Sequence, residues 1–447
     1  MEKTPLAKPV TAKDCDVLVI GGGPGGSTVA TLLAERGYHV IVTEKDHHPR
    51  FHVGESLLPA NLPLFERLGV GEAVRAIGIE KWGAEFVSPW HEKGSQTFHF
   101  ADAWDKTLPY SYEVRRADLD EILFRNAAKR GATTVEGCRV RDIVFLKGEG
   151  ALVHAEHDDG HEEDIRARFV VDASGRDTFL ANRFRDKERN PRHNSSALYA
   201  HFRGARRGEG QAEGNISIFW FDHGWFWFIP LTDNITSVGA VMWPYFLKAR
   251  DKPVEDFFRD TLARCPALME RLAEAELVSG VEATGNFSYN CSRSSGPGYV
   301  RLGDAFAFID PVFSSGVMLA MNGGFLAADA IATCLDTPEK ADAALRHYDR
   351  KLRLGPQKFS WFIYRINHPS MRDLFMDPHN IFRVKEALLS MLAGDIFGDT
   401  PIWRSLGAFK MLYYLHVLSN PRRSFRAWRR RRDQIRVVEE LPASVSP

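Results

Sequence analysis

Apolar and polar positions near the start of the chain change from a continuous apolar run to a helical repeat and back. Residues 17–20 form a short apolar run, which predicts a buried strand. Residues 29–34 continue as an apolar helix that ends at Gly37, and a second strand is predicted over residues 39–43. This strand–helix–strand order is typical of a doubly wound parallel sheet.

The later pattern predicts a second sheet and a helical end of the chain. Residues 197–242 repeat mostly with period two and are rich in aromatic side chains, which indicates several strands distinct from the first sheet. The other predicted elements are strands at 84–87, 97–100, within 151–171 and at 299–302, helices at 62–68, 114–131 and 253–272, and a long helix from Val317. After His347 the pattern is helical, with breaks at Gly355-Pro356, Pro369, 398–401 and Pro421.

Length, charge and cysteine usage restrict the class of protein. A chain of 447 residues predicts two or three cooperating units. Its 58 basic and 58 acidic side chains balance, which disfavours general nucleic-acid binding. The five cysteines are scattered, which disfavours disulfides or a metal site and indicates a cytoplasmic protein. Residues 1–13 do not resemble a signal peptide, and the apolar stretch 317–335 is interrupted by polar residues and predicts a buried helix.

A glycine-rich turn follows the first strand. Gly21, Gly23 and Gly26 have the G-x-G-x-x-G spacing, and Ser27 ends the run. In a strand–turn–helix, such glycines allow a pyrophosphate to approach the backbone at a helix N-terminus. Glu44 ends the second strand about 20 residues later, where a carboxylate binds a ribose hydroxyl. These residues predict a dinucleotide site, with an accidental glycine-rich turn as the alternative.

Two later stretches resemble the FAD-binding fold of the aromatic-hydroxylase type. Arg116 stands before Leu119-Asp120, and Gly303-Asp304-Ala305 precedes Asp310-Pro311. The resemblance implies that Arg116 and Asp304 bind FAD, with Asp304 at the ribityl chain and the turn after it facing the isoalloxazine ring. It also implies an α/β fold: a doubly wound FAD-binding domain, an inserted antiparallel sheet on the substrate side and a helical C-terminal cap.

Three further stretches resemble the flavin-dependent halogenases. Trp225 and Trp227 lie in a W-x-W-x-I-P pattern, Lys81 in K-x-G-A-x-F, and Ser315-Gly316-Val317 in the turn that holds halide beside the flavin. The resemblance implies that Lys81 is catalytic, that Ser315 and Gly316 bind halide, that Val317 contacts the flavin, and that the two indoles wall the pocket. From the residues alone, the tryptophans equally suit an aromatic core strand, Lys81 a solvated surface group, and Ser314 or Ser315 a helix N-cap.

One departure from the family pattern bears on the substrate. Tryptophan halogenases carry a glutamate at the position before the halide turn, which in this chain is Phe313. A carboxylate there would stabilise a cationic ring intermediate and accept its proton. Without it, the ring must be electron-rich itself, which favours the phenol and pyrrole branch over free tryptophan.

The resemblance implies a reaction and its partners. Reduced FAD from a separate flavin reductase reacts with O₂ to give a flavin hydroperoxide. Chloride or bromide then becomes hypohalous acid, which Lys81 relays to the ring as a haloamine or through a hydrogen bond. The substrate is an aromatic small molecule, free or tethered to a carrier protein. The competing hypotheses are an FAD monooxygenase or dehydrogenase on the same scaffold, and a flavin-carrying binding protein without catalysis.

The C-terminal segment 422–432 is rich in arginine and also carries Phe425 and Trp428. As a helix it would be basic with aromatic anchors, which suits an acidic carrier protein, an anionic membrane surface at which the enzyme is peripheral, or plain solvation. The predicted domain boundaries are 14–190 for the FAD-binding domain with small inserted strands at 84–112, 191–285 for the substrate-side sheet and helix, 286–350 for completion of the FAD-binding domain, and 351–447 for the helical region.

Overall fold

The computed structural model describes residues 13–285, 288–397 and 400–436. The strands are β1 (Lys13–Ile20), β2 (Val40–Thr43), β3 (Ile79–Lys81), β4 (Gly83–Val87), β5 (Ser95–His99), β6 (Ser111–Glu113), β7 (Thr133–Val135), β8 (Cys138–Leu146), β9 (Gly150–His157), β10 (Glu162–Asp172), β11 (Lys187–Arg189), β12 (Ser196–Arg203), β13 (Ile216–Phe221), β14 (Gly224–Pro230), β15 (Ile235–Met242), β16 (Glu276–Leu277), β17 (Glu282–Thr284), β18 (Tyr289–Cys291), β19 (Ser295–Gly296), β20 (Tyr299–Arg301) and β21 (Ala307–Phe308).

The helices are α1 (Pro24–Glu35), α2 (Leu62–Leu68), α3 (Gly71–Ile77), α4 (Arg116–Lys129), α5 (Phe179–Phe184), α6 (Pro244–Lys248), α7 (Val254–Leu262), α8 (Pro266–Arg271), α9 (Gly316–Asp336), α10 (Ala341–Ile363), α11 (Pro369–Met376), α12 (Val384–Leu392), α13 (Ile402–Ser419) and α14 (Pro421–Arg436). Short 3₁₀ turns include Gly303–Ala305 and Pro311–Phe313. Residues 1–12, which belong to the N-terminal segment that does not resemble a signal peptide, lie outside the described residues.

The first sheet confirms the predicted doubly wound domain. Its strand order is β19-β20-β10-β1-β2-β7, and β1 pairs in parallel with both β2 and β10. Helix α1 packs against both α4 and α9 beside this sheet. Strands β8 and β9 extend it from β10 in antiparallel pairing. Because parallel strands end at one edge, the turns after β1, β2 and β20 face the same side of the molecule.

The second sheet is aromatic and two-sided. Its order is β16-β12-β15-β14-β13-β4-β5, with β12 to β15 antiparallel. Strand β4 joins it in parallel with β13, pairing Ala84 with Ile216. The segment 84–112 therefore contributes β4 and β5 to this sheet, whereas the sequence prediction grouped these strands with the first domain. Phe86 and Phe98 explain the difference, since both are buried against the ring of Phe375.

Two prolines behave differently from the sequence prediction. The predicted break at Gly355-Pro356 is absent, because α10 continues through Pro356. Leu352, Phe359 and other apolar side chains of α10 are buried, and this packing offsets the roughly 3 kcal/mol cost of an internal proline. Conversely, the single helix predicted over 253–272 is divided into two helices. The first, α7, ends at Leu262, and the second, α8, begins at Pro266.

Helix α9 is partly buried within the protein. It is long and apolar enough to cross a membrane by length and composition, but half of its most apolar window is buried within the protein. It packs between α1 and α10. An added Cβ at Gly324 would lie 3.0 Å from the backbone oxygen of Gly25, so the two helices approach closely at this point. The prediction of a buried helix here agrees with this packing.

The cysteines and one side-chain cluster complete the description of the first domain. All five cysteines lie in the described part of the chain, and no disulfide links them there. Cys138, His157 and Glu163 nevertheless bring their ligand atoms within 4.8 Å of one another on β8–β10. Cysteine spacing alone did not reveal this potential metal-binding group, because its members come from three strands.

Candidate active site

The glycine turn after β1 is built by close backbone contacts. Gly21 has φ +102°, and a Cβ there would lie 2.4 Å from the carbonyl oxygen of Ala173. A Cβ at Gly26 would lie 2.0 Å from the oxygen of Gly21. At Gly23, by contrast, the nearest atom would be 3.7 Å away, so the approach to this residue is open. The N-terminus of α1 thus presents its unpaired N–H groups to a cavity, as a phosphate site requires.

Ser27 supports the turn from behind. Its hydroxyl donates a hydrogen bond to the backbone oxygen of Gly22 at 2.9 Å. The side chain is buried, and Ser27 is not among the residues that line the cavity. Its contact therefore stabilises the turn from inside the protein.

Glu44 is tied to the same turn. Its Oε2 accepts a hydrogen bond from the backbone N–H of Gly22 at 2.8 Å, and Arg50 donates to the same oxygen at 3.2 Å. Arg50 also donates to Asp120 at 3.2 Å. Sequence reasoning missed Arg50, which lies in a loop with no periodic pattern and links the acid after β2 to α4.

Arg116 begins α4 and is held by a bidentate ion pair. Its Nε and Nη2 donate to the two carboxylate oxygens of Asp120 at 2.8 and 3.0 Å, and its Nη1 donates to the backbone oxygen of Val53. Burial favours a raised pKa for Asp120, but Arg116 and Arg50 outweigh it and hold this pKa below its usual range. The loop around Val53 is thereby fastened across the cavity.

Asp304 lies at the opposite wall, in the 3₁₀ turn after β20. Burial raises the pKa of its carboxyl to about 6, against the opposing effect of Arg116 and Arg176. Its backbone oxygen accepts a hydrogen bond from the Tyr289 hydroxyl at 2.7 Å. Gly303 and Asp304 both line the cavity, so a desolvated carboxylate faces it.

One cavity of about 820 Å³ joins these groups. It extends from the glycine turn past Glu44, Arg116 and Asp304 to the start of α9 and the aromatic sheet. The open helix N-terminus suits a pyrophosphate, and carboxylates at both walls suit ribose and ribityl hydroxyls. The residues present therefore fit FAD.

The turn before α9 is shaped by Asp310. Its Oδ1 accepts from the backbone N–H of Val312 at 3.0 Å, and its Oδ2 bonds to His193 at 2.7 Å and Ser195 at 3.0 Å. Ser314 takes a left-handed conformation with φ +54°. These contacts fix the path of the backbone into the helix, and sequence reasoning did not find His193 or Ser195.

Ser315 occupies the N-cap position of α9, but its hydroxyl makes no capping hydrogen bond within the described residues. The alternative interpretation, in which the Ser315 side chain caps the helix, therefore does not apply within the described residues. Ser315, Gly316 and Val317 line the cavity. Their unpaired N–H groups and the positive end of a 21-residue helix make this turn suited to an anion.

Lys81 is wholly buried, not a solvated surface group. Its Nζ donates to Ser56 Oγ at 2.8 Å and to the backbone oxygen of Leu57 at 2.9 Å. Ser314 donates to the same Ser56 hydroxyl at 2.9 Å. Lys81 is not itself among the residues lining the cavity, whereas Ser56 and Ser314 are. The amine thus lies one hydroxyl behind the cavity wall.

Glu113 is the acidic neighbour of Lys81. Its Oε1 lies 3.9 Å from Nζ and accepts a hydrogen bond from Ser56 Oγ at 3.2 Å. Burial raises the pKa of Glu113 to about 8, although Lys81 opposes this shift. Burial likewise lowers the pKa of Lys81, against the effect of Glu113. Sequence reasoning missed Glu113. The available signal was a charged residue immediately before Val114 and close to the Arg116 motif.

Trp225 and Trp227 lie on one face of β14 and line the cavity. The indole N–H of Trp227 donates to Ser237 Oγ at 3.1 Å, and the ring lies over Gly239, where a Cβ would come within 2.2 Å of it. Phe226 and Phe228 point into a separate apolar cluster on the other face. The tryptophans are thus buried core residues that also line the cavity.

Known proteins with similar sequences point to one family. A sequence profile described as tryptophan halogenase matches residues 16–104 and 100–374. The chain is 31% identical over 409 residues to a 1H-pyrrole-2-carbonyl-[peptidyl-carrier protein] chlorinase from Pseudomonas fluorescens, covering 86% of this chain and 90% of the relative.

Solved structures agree. The myxobacterial chondrochloren halogenase CndH, described as FAD-dependent, is 33% identical, with a TM-score of 0.74 and coverage of 91% of this chain and 97% of that one. A flavoprotein/dehydrogenase from Cytophaga hutchinsonii is 28% identical, with a TM-score of 0.82 and coverage of 91% and 100%. The predicted FAD fold is confirmed by these matches, and the chain belongs to the tryptophan halogenase family as an FAD-dependent halogenase that uses halide and O₂.

Proposed function

We propose that this enzyme installs chloride or bromide on an electron-rich aromatic ring, a phenol or a pyrrole. The observation that carries the proposal is Phe313, a buried side chain at the position where tryptophan halogenases carry a glutamate. Without a carboxylate there, the ring must stabilise its own cationic intermediate. The similarity to a chlorinase of a carrier-bound pyrrole supports the same ring class.

The residues of the first domain hold the cofactor. In this proposal Gly21, Gly23 and Gly26 seat the pyrophosphate, Glu44 the adenosine ribose, and Arg116 and Asp304 the flavin half. Ser27 acts indirectly, by bracing the turn. Reduced FAD, delivered by a separate flavin reductase, supplies together with O₂ the two-electron oxidation of halide to hypohalous acid. The protein binds, orients and excludes water.

The start of α9 is the proposed halide site. Backbone N–H groups of Ser315 and Gly316 face the cavity beside Val317, and a helix N-terminus favours an anion without a titratable side chain. Trp225 and Trp227 separate the substrate from the flavin side, so that the ring is halogenated and not hydroxylated. Both indoles are fixed by packing, which keeps this wall in place.

Lys81 is the proposed relay to the substrate. Its amine either takes the halogen from hypohalous acid as a haloamine or polarises that acid by a hydrogen bond. The path from the halide turn runs past Ser314 and Ser56, whose hydroxyls lie 2.9 Å apart, with Ser56 2.8 Å from Nζ. This contiguous contact supports a link between the two sites.

A product analysis tests the proposed substrate class. The enzyme is supplied with chemically reduced FAD, air, and equal chloride and bromide, over a panel of phenols, pyrroles and tryptophan. We expect chlorine or bromine isotope patterns in phenol or pyrrole products, with tryptophan unreacted. Halogenated tryptophan in preference to both other classes would contradict the role assigned to Phe313. Heat-denatured enzyme in the same mixture is the control for free hypohalous acid.

The second candidate function is an FAD monooxygenase or dehydrogenase, which the similarity to the Cytophaga flavoprotein/dehydrogenase favours. Such an enzyme would reduce its own flavin with NADH or NADPH, and its product would gain oxygen or lose hydrogen without gaining halogen. Anaerobic mixing with NADH and NADPH decides between the halogenase and the monooxygenase or dehydrogenase. A halogenase that depends on a separate reductase leaves its bound flavin oxidised in this mixture.

The outer face of α13 and α14 is the proposed docking surface for a carrier protein that presents the substrate in the cytoplasm. Exposed apolar side chains include Leu418, which is 72% exposed, and Phe425, which is 60% exposed. Arg422, Arg426 and Arg430 are also exposed and share one helix face at four-residue spacing. Exposed apolar side chains next to exposed arginines suit an acidic partner protein, because the partner can bury the apolar groups while its carboxylates pair with the arginines.

Charge reversal tests this docking surface. We expect the triple variant Arg422→Glu, Arg426→Glu and Arg430→Glu to raise the KM for a carrier-bound pyrrole about ten-fold or more, with free substrate turned over normally. Arg346→Glu, an exposed change on α10, is the matched control. An unchanged KM for carrier-bound substrate would refute the surface. Salt-sensitive binding of the wild type to anionic vesicles, abolished by the same triple change, would assign the surface to a membrane instead.

A further inference from the structure

Lys81 and Glu113 form a buried acid–base pair that the proposed reaction above does not explain. The side chains are 1% and 0% exposed, and Nζ lies 3.9 Å from Oε1. Strands β3 and β6 bring them together, because Ile79 pairs with Glu113 and Lys81 with Ser111. Keeping two full charges out of water is costly unless hydrogen bonds compensate each one.

The hydrogen bonds around Lys81 match a neutral amine. Its Nζ has two acceptors, Ser56 Oγ and the backbone oxygen of Leu57. A neutral amine has two N–H groups, whereas an ammonium has three. The third N–H would find no acceptor within hydrogen-bond distance among the described residues, since Glu113 at 3.9 Å is too far. The two acceptors thus match the two N–H groups of the neutral amine.

Ser56 connects the pair. Its hydroxyl accepts from Lys81 Nζ and from Ser314 Oγ, and it donates to Glu113 Oε1. These three contacts use its one donor and both of its lone pairs. The second oxygen of Glu113, Oε2, is buried and has no hydrogen-bond partner among the described residues. One hydroxyl thus lies between the amine and the carboxyl.

We propose that Glu113 is a positioning residue that stores the proton of Lys81, so that Lys81 offers a neutral amine to hypohalous acid and recovers a proton when it gives up the halogen. This inference rests on the proposed role of Lys81 and selects the haloamine route over the hydrogen-bond route.

The electrostatics of the pair agree with the geometry. Burial raises the pKa of Glu113 to about 8, with Lys81 and the Ser56 hydrogen bond opposing and Glu55 reinforcing the shift. Burial lowers the pKa of Lys81. Glu55 in turn is hydrogen-bonded to His201 at 2.9 Å, and these groups are the titratable neighbours that bear on the pair. At neutral pH the proton therefore resides on Glu113.

The atoms balance over one cycle. The Nζ lone pair forms the N–halogen bond as the oxygen–halogen bond of hypohalous acid breaks, and the departing oxygen takes a proton from Nζ to become water. The aromatic ring then forms a carbon–halogen bond while the N–halogen pair stays on nitrogen. Ser56 turns its O–H from Glu113 Oε1 to Nζ and gives that proton to the nitrogen while it accepts the proton of Glu113, and the proton later lost by the ring restores Glu113. No additional oxidant is consumed.

The first test uses the protein without FAD or halide. Infrared difference spectra between wild type and Glu113→Gln isolate the carbonyl band of a protonated Glu113. We expect that band at pH 7 and its disappearance with a midpoint near pH 8. A carboxylate at pH 7 would overturn the proposal, whatever the activity of the enzyme.

The second test measures turnover. In Glu113→Gln we expect hypohalous acid to form at the wild-type rate, ring halogenation to fall about 100-fold, and halogenated protein to accumulate by intact mass. The loss of wild-type rate above about pH 8 should disappear in this variant. Glu80→Gln, which removes an exposed carboxylate next to Lys81 on β3, is the matched control.

The outcomes separate this inference from the proposed function. If wild type makes no hypohalous acid or halogenated product, the proposed function fails. If wild type halogenates and Glu113→Gln keeps its rate and pH profile, only the role of Glu113 fails. Should Glu113→Gln not fold, Glu113→Asp retains the carboxyl, and a shifted midpoint for the alkaline loss of rate is expected. An unshifted midpoint in that variant would contradict the proposal.

Discussion

The ring of Phe313 packs against the ring of Phe359 with centroids 6.2 Å apart, and both side chains are buried. Apolar side chains therefore fill the position at which a tryptophan halogenase carries its glutamate. In the proposed function, this position accordingly offers a substrate ring no carboxylate. Asp310, three residues earlier, does not replace that group, because both its oxygens are used to fold the turn.

Phe313→Glu should destabilise the protein. The introduced carboxylate would be buried without a cation, which costs about 3 kcal/mol or more when it is charged. Its pKa would be raised by burial, so the loss should deepen as pH rises through that raised value. Urea unfolding of Phe313→Glu and Phe313→Leu at two pH values measures this. Equal losses at both pH values for the glutamate variant would contradict the buried setting.

Gly26→Ala should abolish tight FAD binding. A Cβ at Gly26 would lie 2.0 Å from the oxygen of Gly21, so the turn that is proposed to bind the pyrophosphate has to open. We expect the FAD dissociation constant to rise at least ten-fold, equivalent to about 1.4 kcal/mol. Flavin fluorescence titration measures it. Gly280→Ala, where a Cβ meets nothing within 4 Å, should bind FAD as the wild type does.

The raised pKa of Asp304 leads us to expect opposite pH dependences for FAD affinity and for the stability of the protein. Its pKa is raised by burial from 3.8 to about 6. The stability it contributes to the cofactor-free protein is therefore present below pH 3.8 and lost as pH rises through about 6. FAD affinity should move the other way and weaken below about pH 6, because a protonated carboxyl is a poorer acceptor for a ribityl hydroxyl.

Asp304→Asn provides the control for both dependences. Thermal unfolding of the cofactor-free variant should lose the pH-dependent decline between pH 3.8 and about 6. Its FAD affinity should be weaker and insensitive to pH over the same interval. If wild type and variant share one pH profile for both measurements, another group controls the cavity.

Gly316→Ala tests the halide turn. A Cβ at Gly316 would meet no protein atom within 4 Å, so the change leaves the fold intact and fills only the space before the helix N-terminus. We expect the halide concentration for half-maximal rate to rise several-fold, with FAD binding unchanged. Steady-state rates over a bromide series measure this. A halide dependence equal to that of wild type would place the anion elsewhere.

The sequence predicted those parts of the site whose geometry is local. The glycine turn, Glu44 and the start of α9 follow directly from a strand or helix end, so their spacing defines their position. Arg50 and Glu113 were missed because their roles depend on pairing across the fold: Arg50 reaches α4, and Glu113 meets Lys81 only through the β3–β6 register. The helix through Pro356 was likewise set by tertiary packing, which outweighed a local rule.

In the proposed function, Lys81 transfers oxidised halogen to the substrate ring. Lys81→Met keeps the apolar stem of the side chain and removes the amine. In this variant the halogenated product is measured by mass spectrometry, and the released hypohalous acid is measured at the same time with a thiol-based halogen trap. We predict that ring halogenation disappears while FAD binding and hypohalous acid formation remain at wild-type levels. Halogenated phenol or pyrrole at the wild-type rate from Lys81→Met would contradict the account.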